Sequence, residues 1–314
     1  MSRSTISTYA VFQMFPDEPT ARVYLEARLW PSGPICPECK SGERIQVRTG
    51  NNAGYYRCNA CELVFTIRTG TIFERSHIPL HKWVYAMYLL VTARKGISSM
   101  QLAKEIGVTQ KSAWFMLSRL REACGNDSDI DQFRGIVEAD ECFVGGKEAN
   151  KHESKKQRLG RGPVGKTPVL GIRERGGRTF AKVIKNRTIQ EIQGEIFQRV
   201  EVGSTIYTDD HLAYSGMDGL FFRHDTVNHA AGEYTRGAVH TNGIESVWAV
   251  LKRGIHGVYH QVSKKHLGRY VDEFSWRLNA GNVKRHSLER LASFVDAVVG
   301  KRITYKQLTA EPAQ

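Results

Sequence analysis

The apolar positions along this chain change rhythm twice, and each change predicts a different architecture. Up to about residue 124 the spacing is mostly helical. Val23, Tyr24, Ala27 and Trp30 form one face of a helix over Thr20–Trp30, which Pro31-Ser32-Gly33-Pro34 ends. A short interruption follows, in which Arg44–Val47 and Tyr55–Arg57 read as strands about a turn at Thr49-Gly50-Asn51-Asn52. Helical spacing returns over Leu80–Thr92, with Trp83, Val84, Met87, Tyr88, Leu90 and Val91 apolar. In Ile97–Leu117 a helix capped by Ser98 or Ser99 meets Gly107, and Thr109 caps a second helix. The pairing predicts a helix-turn-helix, or an ordinary helical hairpin.

Polar Gly125–Asp129 closes that region, and strand spacing takes over. Gly135–Glu141, Pro168–Arg173 and Thr179–Ile184 read as three strands, the last two joined at Arg175-Gly176-Gly177. A helix over Ile189–Val200 carries Ile192, Ile196 and Val200. Strand Thr205–Asp210 and an apolar stretch at Asp225–Asn228 come next. Two further helices end the pattern. His240–Gly254 has Ile244, Val247 and Leu251 inward, and a helix capped by Ser263 and reaching Asn279 has Leu267, Tyr270, Val271, Phe274 and Leu278 inward. Three strands in hairpin order, then helix, strand and helix, is the order of a ribonuclease H-like domain. The predicted class is therefore mixed α+β. Its domains are an N-terminal helical segment (1–34), a ribbon (35–70), a helix-turn-helix-like segment (78–124), a ribonuclease H-like domain (132–285) and a C-terminal tail (286–314).

Composition sharpens this picture at two points. The 314 residues are 41% hydrophobic, enough for a real core, and carry a net charge of +13. Such an excess points to a polyanionic partner, nucleic acid above all, although a solvated basic surface gives the same count. Much of the charge falls in Lys147–Lys166, which is rich in Lys, Arg and Gly and reads as a long, mobile basic loop. The longest apolar run, Val84–Val91, is too short to cross a bilayer, and no signal peptide is legible. The expectation is a soluble protein of the cytoplasm, associated with the nucleoid.

Six cysteines are distributed unevenly. Cys36-Pro37-Glu38-Cys39 and Cys58-Asn59-Ala60-Cys61 form two C-x-x-C pairs, while Cys124 and Cys142 stand alone. Two knuckles of this kind around a strand, turn and strand can close a tetrahedral Zn²⁺ site of structural type. A redox pair is the other use of C-x-x-C, but no βαβ pattern surrounds it here. Tyr55, Tyr56 and Arg57 can stack on bases or simply pack the ribbon. In the helix-turn-helix reading, Gln110, Lys111 and Ser112 begin the helix that enters a groove and are the candidates for base or phosphate contact. Lys147, Lys151, Lys155, Lys156 and Arg158 of the basic loop are the candidates for phosphate contact.

Carboxylates provide the remaining candidate chemistry. Asp140 and Asp209 stand at the ends of predicted strands that a ribonuclease H-like sheet places side by side. Glu245 lies on the helix that packs across them. Oxygen ligands converging at an open site suit Mg²⁺ or Mn²⁺, and two such ions about 4 Å apart can drive phosphoryl transfer. Lys252 is two helical turns from Glu245 on the same face, placed to hold a phosphate. Each acid also has a local reading. Asp140-Glu141 and Asp209-Asp210 can be turn residues, and Asn242 with Glu245 three residues on matches a capping box.

Longer motifs settle on a family. Asp140-Glu141-Cys142-Phe143-Val144-Gly145-Gly146-Lys147 with Asn150-Lys151-His152, then Tyr207-Thr208-Asp209-Asp210-His211-Leu212-Ala213-Tyr214, then His240–Glu245 with Trp248 and Leu251-Lys252-Arg253-Gly254, followed by Gly257–His260 and Lys265–Leu267, resemble the three motifs of a group of DDE transposases. That group belongs to bacterial insertion sequences related to eukaryotic Merlin elements and carries an N-terminal zinc ribbon, so the resemblance spans nearly the whole chain. It implies an acidic triad, here Asp140, Asp209 and Glu245, with Asn242 as the alternative third residue. It also implies Mg²⁺-dependent cleavage at transposon ends and attack of the freed 3′-hydroxyl on target DNA, with the protein assembled as a homo-oligomer on terminal inverted repeats. Two other activities fit the same residues: a Mg²⁺-dependent nuclease or resolvase without strand transfer, and a ribbon and helix-turn-helix regulator whose catalytic half is defunct.

Overall fold

The computed structural model describes residues 5–125, 132–146, 148–156, 163–219, 223–228, 231–233 and 235–310. These form two compact units, one from residues up to 125 together with those from 280 onward, the other from the stretch between.

The first unit opens with helices α1 (Thr8–Met14) and α2 (Glu18–Leu29). Asp17 caps α2 by accepting from Thr20 N–H at 2.9 Å, with Pro19 in the first turn where no N–H is needed. A three-stranded antiparallel sheet follows, of β1 (Ile45–Val47), β2 (Tyr56–Cys58) and β3 (Val64–Phe65), in the order β1-β2-β3. The third strand was not among those predicted, because two residues carry no periodicity. Its Phe65 stacks at 5.6 Å on Tyr56, and Trp30 meets both rings edge-on. Tyr56 therefore packs the ribbon, while Tyr55 is exposed.

Helix α3 (Leu80–Thr92) is buried on most sides, as its near-continuous apolar sequence requires. Then come α4 (Ser99–Ile106) and α5 (Gln110–Cys124). Ser98 caps α4, Gly107 ends it at φ 62°, and Thr109 caps α5 through Ser112 N–H at 3.1 Å. This is the predicted helix, tight turn and helix.

The second unit is a five-stranded sheet with helices on both faces. Its elements are β4 (Ile136–Val144), β5 (Thr167–Glu174), β6 (Thr179–Val183), α6 (Ile189–Arg199), β7 (Thr205–Asp209), β8 (Arg223–Val227), α7 (Asn242–Gly254) and α8 (Lys264–Leu278). The strand order is β6-β5-β4-β7-β8. The first three strands pair antiparallel, and β7 and β8 are parallel to β4. That is the ribonuclease H-like order. Successive residues of β4 face opposite ways, as the period of two dictates. Val137 and Ala139 join the core under α6, whereas Cys142 and Val144 join the core under α7 and α8.

Two expectations for this region are corrected. β4 does not end at Asp140 but continues to Val144, because β5 pairs with it as far as Val144↔Thr167. The stretch after β4 is not uniformly irregular either, since one-turn helices form at Glu148–Asn150 and Glu153–Lys155.

Residues after 280 return to the first unit. Helix α9 (Ser287–Asp296) packs against α2 and α3, and α10 (Tyr305–Thr309) follows with a complete capping box at Thr304. Arg290 of α9 is buried and donates to Val91 O of α3. Two helices thus stand in the stretch 286–314 that was expected to be a tail.

Candidate active site

The parallel pairing of β4 with β7 stops at Glu138↔Tyr207. Beyond that point the two strands have no shared ladder to hold them side by side, and Asp140 and Asp209 stand at the opening. Oxygens of Asp140, Glu141 and Asp209 all lie within 4.8 Å of one another. Glu141 is held from two sides, because Arg187 donates to Oε2 at 2.9 Å and the Tyr214 hydroxyl to Oε1 at 3.0 Å. Asp210, the neighbouring acid, accepts from the Asn228 side chain at 2.9 Å. Asp209 differs from both: its Oδ1 is buried and has no hydrogen-bond partner among the described residues. A buried carboxylate oxygen without a donor costs free energy unless a cation completes it. The donor set, hard oxygens only, fits a divalent ion of the Mg²⁺ or Mn²⁺ kind.

Electrostatics agree. Burial, and after it the Asp209 carboxylate, push the Asp140 carboxyl up from its ordinary value of 3.8 to about 7. Burial also holds the Tyr214 hydroxyl well above its ordinary range, with Glu141, Asp140 and Asp209 adding to the effect. Two acids this close resist double ionisation, and a cation between them removes the penalty.

Helix α7 completes one wall. Trp248 Nε1 donates to Asp140 Oδ2 at 2.9 Å. The indole reaches it because Gly171, paired with Asp140 across the β4–β5 ladder, has no side chain: a Cβ there would lie 2.5 Å from the Trp248 ring. Trp248→Phe removes the donor together with the outer ring atoms that pack on Gly171. A hydrogen bond to a charged group contributes about 1.5–3 kcal/mol, so metal-dependent strand cleavage should fall roughly tenfold to a hundredfold, with a lower melting temperature from the space left over Gly171. Cleavage and melting assays on this one variant check it.

The start of α7 is not capped from within. Thr241, not Asn242, is its N-cap, and Thr241 makes no side-chain cap bond. The capping box expected from Asn242 and Glu245 is therefore absent. Instead Glu138, buried on β4, accepts from Ile244 N–H at 2.9 Å. Arg175 donates to the other oxygen of Glu138 at 2.9 Å from Nη2 and 3.1 Å from Nε. Gly243 permits this approach, since a Cβ there would meet Glu138 Oε2 at 2.4 Å. Sequence reasoning missed Glu138. Its signal was available, because it shares the strand face of Asp140, Cys142 and Val144, and an acid on a buried face must find partners.

The other predicted residues are placed as follows. Glu245 is exposed in the first turn of α7, outside the cluster around Asp140, and its Oε1 accepts from the Thr241 hydroxyl at 3.1 Å. Asn242 is exposed at the first position of the helix. Lys252 is exposed on the same helix and acts electrostatically on the Cys142 thiol, which burial pushes up to about 12. In the basic loop, Lys151 pairs with Glu148, and Lys156 pairs with Glu153 at 2.7 Å. Lys147, Arg158 and the side chain of Lys155 lie outside the described residues.

In the first unit, Cys36, Cys39, Cys58 and Cys61 bring their sulfurs within 4.8 Å of one another, with Cys36–Cys61 and Cys39–Cys58 both at 3.5 Å. A tetrahedron of Zn–S bonds near 2.3 Å has edges of about 3.8 Å, so the four thiols fit Zn²⁺. The backbone N–H groups of Cys61 and Ala60 draw the Cys58 thiol down to about 7, which favours the thiolate a metal needs. Gln110 and Lys111 are exposed at the start of α5, and Ser112 is half-buried. Gln110 donates to Ser99 Oγ at 2.8 Å, and Lys111 lies over the Tyr305 ring at 4.9 Å, so α10 braces the helix proposed to read DNA.

Known proteins resemble this chain. Residues 132–279 match the ISXO2-like transposase domain, and residues 16–63 match a transposase zinc-ribbon domain. An uncharacterized protein in transposable element ISH50, from Halobacterium salinarum, is 31% identical over 273 residues, which cover 84% of this chain and 91% of its own. Among solved structures, a pre-cleavage Mos1 transpososome is 13% identical over 67% of this chain and 76% of that one, with a TM-score of 0.26. The Mos1 strand transfer complex is 11% identical over 62% and 75%, with a TM-score of 0.21. Among the described residues no helix is long and apolar enough to cross a membrane. The chain belongs to the ISXO2-like transposases of the DDE type, with the zinc ribbon of that family at its N-terminus.

Proposed function

We propose that this transposase cleaves DNA at transposon ends and joins the freed 3′ end to target DNA, using a divalent ion held by Asp140 and Asp209. The observation that carries the reading is the buried Asp209 Oδ1, which has no donor among the described residues and faces an Asp140 carboxyl pushed up to about 7. A divalent cation held there supplies Lewis acidity to the attacking and leaving oxygens of phosphoryl transfer. The protein side of the site orients and excludes. Trp248 fixes one oxygen of Asp140, while Arg187 and Tyr214 fix both oxygens of Glu141 and so leave Asp140 and Asp209 as the available pair. Glu245 is the proposed third carboxylate. It lies one helical turn before Trp248, the α7 residue that touches Asp140, and Lys252 lies one turn beyond Trp248 to hold a flanking phosphate. Incubation with a labelled terminal-repeat duplex and Mg²⁺ or Mn²⁺ tests the whole reading. Cleavage without joining would instead identify a nuclease, and binding without either would identify a regulator.

Glu245 and Asn242 are separable by substitution. Glu245→Gln preserves length and the Thr241 contact but removes the charge, so folding and DNA binding should persist while cleavage falls by orders of magnitude. Asn242→Ala should cost well under 1 kcal/mol, because Thr241 holds the cap position, and leave substantial cleavage. Full cleavage by the Gln variant together with none by the Ala variant reverses the assignment.

DNA contact is proposed for both units. Gln110, Lys111 and Ser112 contact the terminal repeat, and the loop residues Lys147, Lys151, Lys155, Lys156 and Arg158 contact phosphates of any sequence. Pairing two transposon ends on one assembly calls for at least a homodimer.

A further inference from the structure

We propose that a cavity at the end of β4 seats the DNA strand being cut, about two nucleotides from the cleaved phosphate. The proposal rests on the cleavage reading above and adds a binding site to it. The cavity has a volume of about 810 Å³, within the range of pockets that enclose a ligand. Among the described residues its lining holds Lys151, Lys166, Lys252 and Lys264 and no carboxylate. Lys151 is partnered by Glu148, but among the described residues Lys166, Lys252 and Lys264 have no ion pair. Like charges gathered around a concavity repel one another, and a polyanion converts that repulsion into attraction.

Charge alone describes a surface patch. Apolar lining makes this a pocket: Val144, Ile255 and Val262 share it with the amines, which suits a sugar and base beside a phosphate. One wall is irregular backbone. Directly after α7, residues Ile255–Tyr259 form a π-helical turn, and His260 then takes φ 57°, a left-handed conformation that non-glycine residues rarely adopt. π-Turns occur often at functional sites. Here the turn carries His256 and His260 into the lining and delivers the chain to Lys264 at the start of α8.

Position follows from strand geometry. Phe143 and Val144 line the cavity three and four residues beyond Asp140 on β4. At about 3.3 Å per residue this is roughly 10–13 Å. A DNA strand rises about 3.4 Å per nucleotide along the axis and winds as it rises, so its neighbouring phosphates lie roughly 6–7 Å apart and the same span is about two nucleotides.

The test uses a duplex of the terminal repeat, read from the DNA flanking the gene, without added divalent ion. Two variants are compared with wild type: the double variant Lys166→Ala with Lys264→Ala, and Val262→Trp, which fills the apolar part of the lining without changing charge. Loss of two phosphate contacts should lower the slope of log affinity against log salt by about 1.8. Ethylation of phosphates about two nucleotides from the repeat terminus should weaken wild-type binding and lose its effect in both variants. An unchanged salt slope in the double variant overturns the proposal. So does a Val262→Trp protein that melts like wild type and keeps the wild-type ethylation pattern, since the lysines would then act only as surface charge. An unrelated duplex showing the same ethylation-sensitive positions would assign the cavity to target DNA and also overturn it. Failure of the cleavage reading shows separately, as wild-type protein that binds the duplex and does not cut it when Mg²⁺ or Mn²⁺ is added.

Discussion

Asp140→Asn is expected to abolish metal-dependent cleavage, leave DNA binding unchanged and stabilise the metal-free protein at neutral pH. Loss of a ligand to a catalytic ion removes several kcal/mol of transition-state stabilisation, so cleavage should fall about a thousandfold or more. The effect on stability has the opposite sign and a definite pH window. In the folded protein Asp140 keeps its proton up to about pH 7, against an ordinary value of 3.8. Between those values the folded state binds more protons than the unfolded state, so stability falls as pH rises. The favourable contribution is complete below about 3.8 and gone above about 7. A shift of this size corresponds to at most about 4 kcal/mol, of which water at the open site relieves part, leaving a gain on the order of 2 kcal/mol for the variant at pH 8. Added Mg²⁺ should therefore raise the melting temperature of wild type more at pH 8 than at pH 6, and should do neither for Asp140→Asn. Melts from pH 5 to 8.5, with and without Mg²⁺, measure this. A wild-type profile that keeps its full slope in the Asn variant would show that Asp140 is not its source.

The second large effect belongs to the ribbon. Cys58→Ser should eject zinc and unfold the first unit's small sheet, while the melting of the ribonuclease H-like unit stays in place. The ribbon has little else to hold it: its apolar cluster consists of Cys36, Tyr56, Cys58 and Phe65, with Trp30, Ile45 and Leu63 packed against it. Two of the four fully packed members are themselves among the four thiols that fit Zn²⁺. In small zinc-bound folds the metal's binding free energy, about 10–16 kcal/mol, is in effect the folding free energy. Elemental analysis reads the metal, and amide exchange at Ile45–Val47 and Tyr56–Cys58 reads the fold. Wild-type protein purified without chelator and found free of zinc sinks this account.

How much of this was legible beforehand depended on how local each interaction is. Helix α3, with its apolar run, and the turn between α4 and α5, with Gly107 and Thr109, could be read directly, because their determinants lie within a few residues. The sheet order was legible from the succession of strands and helix, since few topologies accommodate it. Long-range partners were not. The start of α7 carries the letters of a capping box, yet Glu138, 106 residues away, takes the place of the cap. Asp140 as a candidate ligand could be read from its motif. That Trp248 would reach it over Gly171 could not, because nothing local to either residue states that a ring and a missing side chain will meet. Helix α9 shows the same limit, as its apolar face is completed by α2 and α3 near the other end of the chain.

That return of the chain has a consequence for synthesis. Ile6 N–H bonds to Ser287 Oγ across 281 positions, and Arg290 reaches Val91 across 199, so the first unit is closed by contacts with residues translated after the whole ribonuclease H-like unit. A ribosome emits the chain from its N-terminus at about 5–20 residues per second, and domains fold as their last segment emerges. The inner unit is complete at residue 279, while α3 still waits for α9. The half of the protein that carries the zinc ribbon is thus the first to be made and the last to be finished.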